Sequence, residues 1–463
     1  MPSNASSTDS AFLPAPQLSD SPAPGAKPAN NGIWPLIIAI FAFNAISAVL
    51  FMSLVNRPIY DDQYNIFDVH TYAVQGVSAA TIRANRNPPG PTSFAWMAAA
   101  VRLLRGEELR DARIGAFVSW ILLVSVILIG ARYTSFPNLW HGALLASLVF
   151  PHSVEAMALV LTEGPALLFA VLGALAWIEF ASRPKVTLGV LLLGVFGGLS
   201  IGVAVTARQY FLALLPAALL LAFQQSRTRS LKDSARWYVG VTCSLASAVL
   251  PVLLLVAIWK GFSSPGMATG ASYPMWKARI GFGLSRPLIT TLYAAFYLLP
   301  LSFPAMSQVK PAQRWRAIGA ALVGGIAAGY FSPLILQPGP LRTVVHFLAR
   351  ATTGQSVLFG SIAAVTIYNA IAVALLLWDK RSAFLSCPPA VFALLAVIFF
   401  VGEQFGVGGN IPLYDRYLLQ MAPFLGLIAF SLFPRLTRAR VLALIFLSLV
   451  SHTMLWRFVL GGA

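Results

Sequence analysis

Two adjacent carboxylates, Asp61 and Asp62, follow a long apolar run without charge, residues 34–55. Neighbouring negative charges repel each other, and the repulsion favours proton uptake by one of them, which is what a general base must do. The pair therefore predicts acid–base chemistry where the chain leaves an apolar environment. Two acids in an ordinary solvated loop are the alternative interpretation.

Two further charged residues stand at the ends of apolar runs, where charge is costly unless it is paired or hydrated. Glu163 follows Thr162, and Arg208 lies in the short turn between two runs. An arginine there can hold a phosphate with two parallel hydrogen bonds. The alternatives are a helix N-cap at Thr162, with Glu163 favoured by the helix dipole, and an Arg208 side chain that reaches the lipid headgroups.

A fourth feature is Tyr414-Asp415-Arg416-Tyr417, at the start of a late apolar run. These residue types can bind a polar ligand. A local ion pair flanked by tyrosines of the membrane interface is the other interpretation. Each feature alone is short, but together they predict one site if the chain brings them to the same side of a membrane.

The composition indicates a membrane protein, with 58% hydrophobic and 10% charged residues. Soluble proteins carry about 25% charged residues. The net charge of +17 does not indicate nucleic-acid binding, because most basic residues form short clusters between apolar runs, as in cytoplasmic loops. Cys243 and Cys387 have no metal-type spacing and form no disulfide framework.

The apolar runs predict an all-α polytopic membrane protein with about thirteen transmembrane helices. Residues 1–32, rich in Pro, Ala, Ser and Asn, predict a disordered tail rather than a signal peptide, and residues 33–463 form the transmembrane domain. The predicted spans are 34–55, 114–131, 139–153, 164–181, 187–206, 209–223, 238–259, 286–306, 317–337, 356–378, 389–406, 417–433 and 440–457.

Residues 56–113 form the first outer loop, which holds the paired acids and the rigid turn Asn87-Pro88-Pro89-Gly90-Pro91. The segment 92–104 is shorter than the about 20 residues that a crossing needs, so it predicts a juxtamembrane helix in the interface. In this prediction Trp96 and Met97 face lipid, and the arginines that follow lie among the headgroups: Arg102, Arg105, Arg110 and Arg113.

The positive-inside rule favours an inner N-terminus and a non-crossing segment 92–104. This arrangement gives the inner loops most of the clustered basic residues and gives the outer face most of the acids, including Asp61, Glu163 and Glu403. The inner basic residues are Arg132, Arg183, Lys185, Arg227, Arg229, Lys232, Arg236, Lys310, Arg314, Arg316, Lys380, Arg381, Arg435, Arg438 and Arg440. The outer arginines, among them Arg83, Arg86, Arg208, Arg342 and Arg416, then need an anionic partner such as a phosphate.

The motif around the paired acids resembles the GT-C class of membrane glycosyltransferases. Asp61-Asp62-Gln63-Tyr64-Asn65 is similar to the Asp-Glu-x-aromatic-His pattern of that class, with Asp62 in place of Glu and Asn65 in place of His. Pro88-Pro89-Gly90 matches the turn of the class. Glu163 matches its second-loop acid, and Asp415-Arg416-Tyr417 is similar to its late Asp/Glu-x-Arg-Tyr element.

Within that class the chain resembles the group of protein mannosyltransferases, lipid A aminoarabinose transferases and dolichyl-phosphate-glucose alpha-1,2-glucosyltransferases. Thr162-Glu163 and Arg208-Gln209 look like motifs of the last of these. The resemblance implies transfer of a sugar from a polyprenyl-phosphate donor to an acceptor hydroxyl at the outer or luminal face, with inversion at the anomeric carbon.

The chemistry assigns a role to each candidate. Asp61 is the predicted base, with Asp62 second. Arg208 and Arg416 are the predicted phosphate-binding residues, with Arg83, Arg86 and Arg342 behind them. The predicted substrate-binding residues are Glu163, Gln209, Tyr64, Asp415 and Tyr417.

Metal use stays open at this point, since Asp61, Glu163 and Asp415 could supply an oxygen site for a divalent ion. No other cofactor is implied. The predicted partners are the lipid-linked donor, a lipid, glycan or protein acceptor, and membrane lipids. The Arg- and Ala-rich composition favours a bacterial inner membrane with the site facing outward.

The alternative class is a secondary transporter or a lipid-linked-sugar flippase. Transport would place ionisable residues near the middle of the bilayer. The acids of this chain cluster instead at one face. A structural or scaffolding membrane protein is a third possibility, but it needs no acid-rich loop.

Overall fold

The computed structural model describes residues 33–59, 61–87, 90–227, 229, 231–269, 282–336, 339–349, 351–406 and 415–460. The predicted tail 1–32, Pro88 and Pro89 of the turn, Tyr414 and the side chain of Asp415 lie outside the described part. Every regular element in these ranges is helical, as the apolar runs predicted.

The α-helices follow one another along the whole described chain. Their bounds are α1 Ile33–Leu54, α2 Asp62–Gln75, α3 Ala79–Ala84, α4 Pro91–Leu104, α5 Glu108–Ala131, α6 Pro137–Val149, α7 Ser153–Ala158, α8 Glu163–Ser182, α9 Leu188–Ala207, α10 Leu214–Ser226, α11 Leu231–Trp259, α12 Ser285–Ser302, α13 Pro311–Tyr330, α14 Ser332–Ile335, α15 Pro340–Leu348, α16 Thr352–Asp379, α17 Arg381–Leu385, α18 Pro388–Glu403, α19 Ala422–Leu432 and α20 Arg438–Leu460. Short 3₁₀ helices cover Gln209–Ala213, Pro265–Thr269, Phe303–Gln308 and Asp415–Met421.

Eight segments in the described part are long and apolar enough to cross a membrane. They are Ile33–Leu54, Glu108–Ala131, Glu163–Ser182, Leu188–Ala207, Ser234–Trp259, Ser285–Gln308, Thr352–Asp379 and Arg438–Arg457. The other predicted spans coincide with α6, α10, α13, α18 and α19. The multi-pass helical architecture is therefore confirmed, whereas the number thirteen stays a prediction.

Small residues bring the helices close together. A Cβ at Gly198 of α9 would lie 1.9 Å from the Ser244 carbonyl oxygen of α11, and one at Gly325 of α13 would lie 2.7 Å from that of Gly360 in α16. Apolar attraction between helices is weak in lipid, so close backbone approach is what packs them. Glycine at these two positions therefore lets the neighbouring helices approach backbone to backbone.

The short helix α4 packs differently from the prediction. Its bounds agree with the predicted segment 92–104, but Met97 is fully buried against Ala112 and Ala116 of α5 instead of facing lipid. The Trp96 indole donates a hydrogen bond to the Gly115 carbonyl at 2.9 Å. The prediction that Trp96 and Met97 face lipid was therefore wrong, because α4 packs its apolar face against other helices of the protein.

Loops predicted to share one side of the membrane contact each other. At the end predicted to be inner, Lys310 Nζ lies 2.9 Å from Asp379 Oδ2, and Gln224 donates to the Leu385 carbonyl at 2.8 Å. The opposite end, which holds Asp61, is called the outer end below. The grouping agrees with the predicted alternation of loops, and the membrane face to which each end belongs stays a prediction.

Candidate active site

Four charged side chains from distant parts of the sequence meet at the outer end. Arg416 forms an ion pair with Asp61 through Nη2, and its Nε lies 3.8 Å from Glu163 Oε1. Arg208 forms an ion pair with the same Glu163 oxygen. Asp61, Glu163, Arg208 and Arg416 are called the charge cluster below.

Each member of the charge cluster stands at a helix end. Asp61 precedes α2, Glu163 is the first residue of α8, Arg208 directly follows α9, and Arg416 belongs to the 3₁₀ helix Asp415–Met421. An acid at a helix N-terminus and an arginine at a C-terminus are both favoured by the helix dipole. The dipole therefore supports two of the buried charges of the cluster, Glu163 and Arg208.

Asp61 is the most solvent-exposed member of the charge cluster, and the other three side chains are buried. The Asp61 side chain is 31% exposed, whereas that of Arg416 is 5% and that of Glu163 is 1% exposed. Burying four charges is costly unless each finds an opposite charge, and the two arginines balance the two acids. Asp61 is therefore the carboxylate of the cluster that a second molecule can reach.

Asp62 lies beside Asp61 in sequence but occupies a different environment. It is fully buried, and its Oδ2 lies 2.5 Å from Arg113 Nη2. Its Oδ1 accepts a hydrogen bond from the Val160 N–H at 2.6 Å. Sequence reasoning placed Arg113 among the lipid headgroups, which was wrong, because it is 1% exposed and holds Asp62 instead.

Asp62 and Asn65 together clamp one residue of the second outer loop. Asp62 accepts from the Val160 N–H, and the Asn65 amide donates to the Val160 carbonyl at 2.7 Å. This residue lies just before Glu163 in the chain. The clamp therefore fixes the distance between the loop that carries Asp61 and the loop that carries Glu163.

Asp68 anchors the turn that leads into α4. It accepts hydrogen bonds from the backbone N–H groups of Arg86 at 2.9 Å and Asn87 at 3.1 Å, and from the Asn87 amide at 2.6 Å. Burial raises the pKa of the Asp68 carboxyl, and these donors oppose the rise. At the far end of the turn, Gly90 N–H donates to the Ala207 carbonyl at 3.0 Å.

Glycine is required at position 90 by this contact. A Cβ there would lie 1.7 Å from the Thr206 carbonyl oxygen, far inside van der Waals distance. Gly90 therefore packs directly on the last residues of α9, beside Arg208. This is the structural reason for the glycine that closes the proline-rich motif.

Tyr417 lies between the two arginines of the charge cluster. Its ring centroid is 5.2 Å from Arg208 Cζ and 5.3 Å from Arg416 Cζ. Its ring also lies 5.5 Å from that of Tyr210. An aromatic face at this range attracts a cation, so Tyr417 helps to hold both guanidinium groups in place.

The remaining predicted arginines lie away from the charge cluster. Arg83 donates to the Ile258 carbonyl at 2.6 Å, and Arg86 stacks on Phe67 at 3.8 Å. Arg342 donates to His346 at 3.1 Å on an exposed surface. In the described contacts, Arg208 and Arg416 join the charge cluster and these three arginines do not.

Two of the predicted substrate-binding residues are exposed beside the cluster. Tyr64 is 46% exposed, one turn into α2, and its carbonyl accepts from the Asn87 amide at 2.8 Å. Gln209, next to Arg208, is also exposed.

Two further charged groups at the outer end were missed by sequence reasoning. Glu155 is fully buried, 2.6 Å from His152 Nδ1 and 3.4 Å from Arg457 Nη2. Burial opposes its ionisation, but the charges of His152, Arg457 and Arg416 outweigh that effect and lower the pKa of Glu155. Arg286 donates to Gln404 at 2.8 Å and to the Tyr210 hydroxyl at 3.3 Å.

Several polar atoms of the site make no hydrogen bond within the described chain. They are Glu163 Oε2, Arg208 Nε and Thr162 Oγ1. Thr162 does not cap α8 with its side chain. Since buried polar groups are nearly always paired in native proteins, these atoms leave hydrogen-bonding capacity at the charge cluster for water or a polar ligand.

A metal site receives no support from the described side chains. Among them, no group of three or more His, Cys, Asp or Glu could hold a metal ion. The candidate oxygen site of Asp61, Glu163 and Asp415 depends on a side chain outside the described part. Metal use there stays open.

Comparison with known proteins gave structural matches alone. No family model matches the chain, and no curated protein matches it. ArnT from Cupriavidus metallidurans in the apo state is similar at 16% identity and a TM-score of 0.39, over 92% of this chain and 78% of the other. The same protein bound to undecaprenyl phosphate gives 15% identity and a TM-score of 0.40, over 90% and 77%.

A third similar structure is the Archaeoglobus fulgidus oligosaccharyltransferase in complex with zinc and sulfate. It shares 14% identity and a TM-score of 0.31, over 80% of this chain and 54% of the other. All three TM-scores lie below 0.5.

Proposed function

We propose that this chain is a membrane glycosyltransferase of the GT-C type. In this proposal it moves a sugar from a polyprenyl-phosphate donor to an acceptor hydroxyl at the outer face of the membrane, in a bacterial inner membrane. The observation that carries the proposal is the charge cluster: one accessible carboxylate, Asp61, ion-paired to an arginine that a second buried arginine accompanies. That combination is what acceptor activation and phosphate departure require.

The accessible carboxylate acts as the base. Asp61 takes the proton of the acceptor hydroxyl as its oxygen attacks the anomeric carbon of the donor. The bond between that carbon and the phosphate oxygen breaks, and its electron pair stays on the phosphate. A single displacement of this kind inverts the anomeric configuration.

The arginines stabilise the charge that develops on the leaving phosphate. Arg416 contacts Asp61 and approaches Glu163, so it can exchange a carboxylate contact for a phosphate oxygen without moving far. Arg208 lies behind it, and Tyr417 holds both guanidinium groups. Fixed cations at a developing charge lower the barrier because they need no reorganisation during the reaction.

The buried acids have positioning roles in this proposal. Asp62 holds the two outer loops in register through Arg113 and Val160. Glu163 keeps Arg208 and Arg416 in place. Asp62 was the second candidate for the base. We assign that role to Asp61, because Asp62 is fully buried.

The test compares sugar transfer by wild type and Asp61→Asn in membranes, from a panel of radiolabelled polyprenyl-phosphate sugars. Loss of the base is expected to reduce the rate by roughly 10² to 10⁴. Glu108→Gln is the matched control, because Glu108 is another carboxylate of the same loop, paired with His70 and 37% exposed. Transfer unchanged in Asp61→Asn at equal expression would refute the assignment, and no transfer by wild type from any donor would refute the donor class.

A further inference from the structure

The 3₁₀ helix Asp415–Met421 carries a buried polar side chain, Gln420, that the proposed mechanism does not use. Gln420 is 1% exposed. Within the described part of the chain, neither its amide oxygen nor its amide nitrogen has a hydrogen-bond partner. A buried amide left unpaired costs free energy, so a native site that keeps one needs a reason for it.

The position of Gln420 connects it to the charge cluster. Side chains three residues apart eclipse each other in a 3₁₀ helix, which places Gln420 on the same side as Tyr417, about 6 Å along the axis. Tyr417 packs on Arg208 and Arg416. The 3₁₀ helix also packs against α8, which begins with Glu163. Gln420 therefore faces the same region as the ion pairs, one turn further along.

The hydrogen-bonding properties of the unpaired atoms indicate which kind of ligand group they fit. An amide offers both an acceptor and a donor, and Glu163 Oε2, also unpaired, offers an acceptor alone. Phosphate oxygens accept hydrogen bonds but do not donate them in the ionised form. Hydroxyl groups do both. The unpaired atoms of Gln420 and Glu163 therefore match a group that carries several hydroxyls better than they match the phosphate.

We propose that Gln420 binds hydroxyl groups of the transferred sugar and so contributes to the choice of donor. This inference rests on the proposed function, since it assigns the sugar subsite of the same site. Arg208 and Arg416 then hold the phosphate, and the Gln420 amide forms hydrogen bonds with hydroxyl groups of the sugar that is attached to it.

A second buried glutamine provides a matched control. Gln404 is also 1% exposed, but its amide oxygen accepts from Arg286 at 2.8 Å. Its nitrogen donates to the Phe400 carbonyl at 3.3 Å. Leucine has nearly the same volume as glutamine and no polar atoms. The two substitutions Gln420→Leu and Gln404→Leu therefore remove an unpaired and a paired amide from equally buried positions.

The experiment measures thermal unfolding of the purified full-length protein in three forms: wild type, Gln420→Leu and Gln404→Leu. Each form is tested alone, with undecaprenyl phosphate, and with the glucosyl, mannosyl, galactosyl and arabinosyl conjugates of that lipid. Without ligand, Gln420→Leu is expected to raise Tm by roughly 1 to 4 °C, and Gln404→Leu to lower it. A fall in Tm for Gln420→Leu would overturn the inference, because the amide would then have a structural partner.

The ligand series tests the sugar assignment. Wild type is expected to bind one conjugate more tightly than bare undecaprenyl phosphate, and Gln420→Leu to lose about tenfold of affinity for that conjugate while it keeps its affinity for the bare lipid. Equal binding of the conjugate by Gln420→Leu and wild type would overturn the inference and leave the proposed function intact. If no lipid stabilised the wild type, the result would contradict both the proposed donor class and the assignment of Gln420 to the sugar.

Discussion

Asp61 and Asp62 differ in environment although they are neighbours in the chain. Asp61 is partly exposed and shares Arg416 with Glu163, whereas Asp62 is enclosed by Arg113 and the Val160 backbone. Removing one partner from a buried pair leaves the other charge without compensation, which costs far more than an exposed pair contributes. The two aspartates should therefore respond differently to the same substitution.

Asp62→Asn is expected to destabilise the protein by about 3 to 5 kcal/mol, because Arg113 stays buried and loses its counter-charge. The double variant Asp62→Asn with Arg113→Met should recover much of that loss. The measurement is thermal or denaturant unfolding of the purified protein in detergent. Equal stability of Asp62→Asn and wild type would contradict the structural role given to this pair.

Arg416→Lys tests whether the shape of the guanidinium group matters in addition to its charge. Lysine keeps the charge but presents a single ammonium, which cannot face Asp61 and Glu163 from two sides. We expect kcat to fall by about 10² or more, the usual weight of one transition-state donor. Steady-state kinetics with the best donor from the panel would check this, and a lysine variant with wild-type kcat would show that charge alone suffices.

At the scale of helices, much of the charge cluster was predictable because each of its members lies near an end of an apolar run. Asp61, Glu163, Arg208 and Arg416 were all assigned from that position and from their common side. Arg113 was not, since an arginine after a short amphipathic segment has the same local pattern whether it meets lipid headgroups or a buried acid. Gln420 was missed because an uncharged residue inside an apolar segment gives no signal until its partners are known.

The turn between α3 and α4 gives the sharpest test at this scale. Gly90→Ala would place a Cβ 1.7 Å from the Thr206 carbonyl oxygen. The expected result is a loss of stability of about 1 to 3 kcal/mol or more, and reduced transfer, since α4 could no longer pack against the residues that precede Arg208. Thermal unfolding and transfer rates of the purified variant measure the two effects.

Gly189 supplies the control for this substitution. It lies near the start of α9, and a Cβ there would meet nothing within 4 Å. Alanine at a permissive helix position stabilises by roughly 0.5 to 1 kcal/mol. Equal effects of Gly90→Ala and Gly189→Ala would argue that the close approach at Gly90 has no energetic weight.

At the scale of the whole molecule, the charge pattern and the packing agree about which loops belong together. The loops that carry Asp61, Glu163, Arg208 and Arg416 meet at one end. Basic loops such as those of Lys310 and Arg229 contact other loops at the opposite end. The positive-inside rule then predicts that the charge cluster faces outward.

Cysteine labelling in intact cells tests this orientation. After Cys243 and Cys387 are replaced by serine, single cysteines go to Val77, which is 68% exposed at the outer end, and to Lys185, which is exposed at the inner end. A membrane-impermeant maleimide is expected to label Val77→Cys at once and Lys185→Cys only after permeabilisation. The reverse labelling pattern would show the opposite membrane orientation. The charge cluster would then lie on the cytoplasmic side, where the proposed transfer to an outer acceptor could not occur.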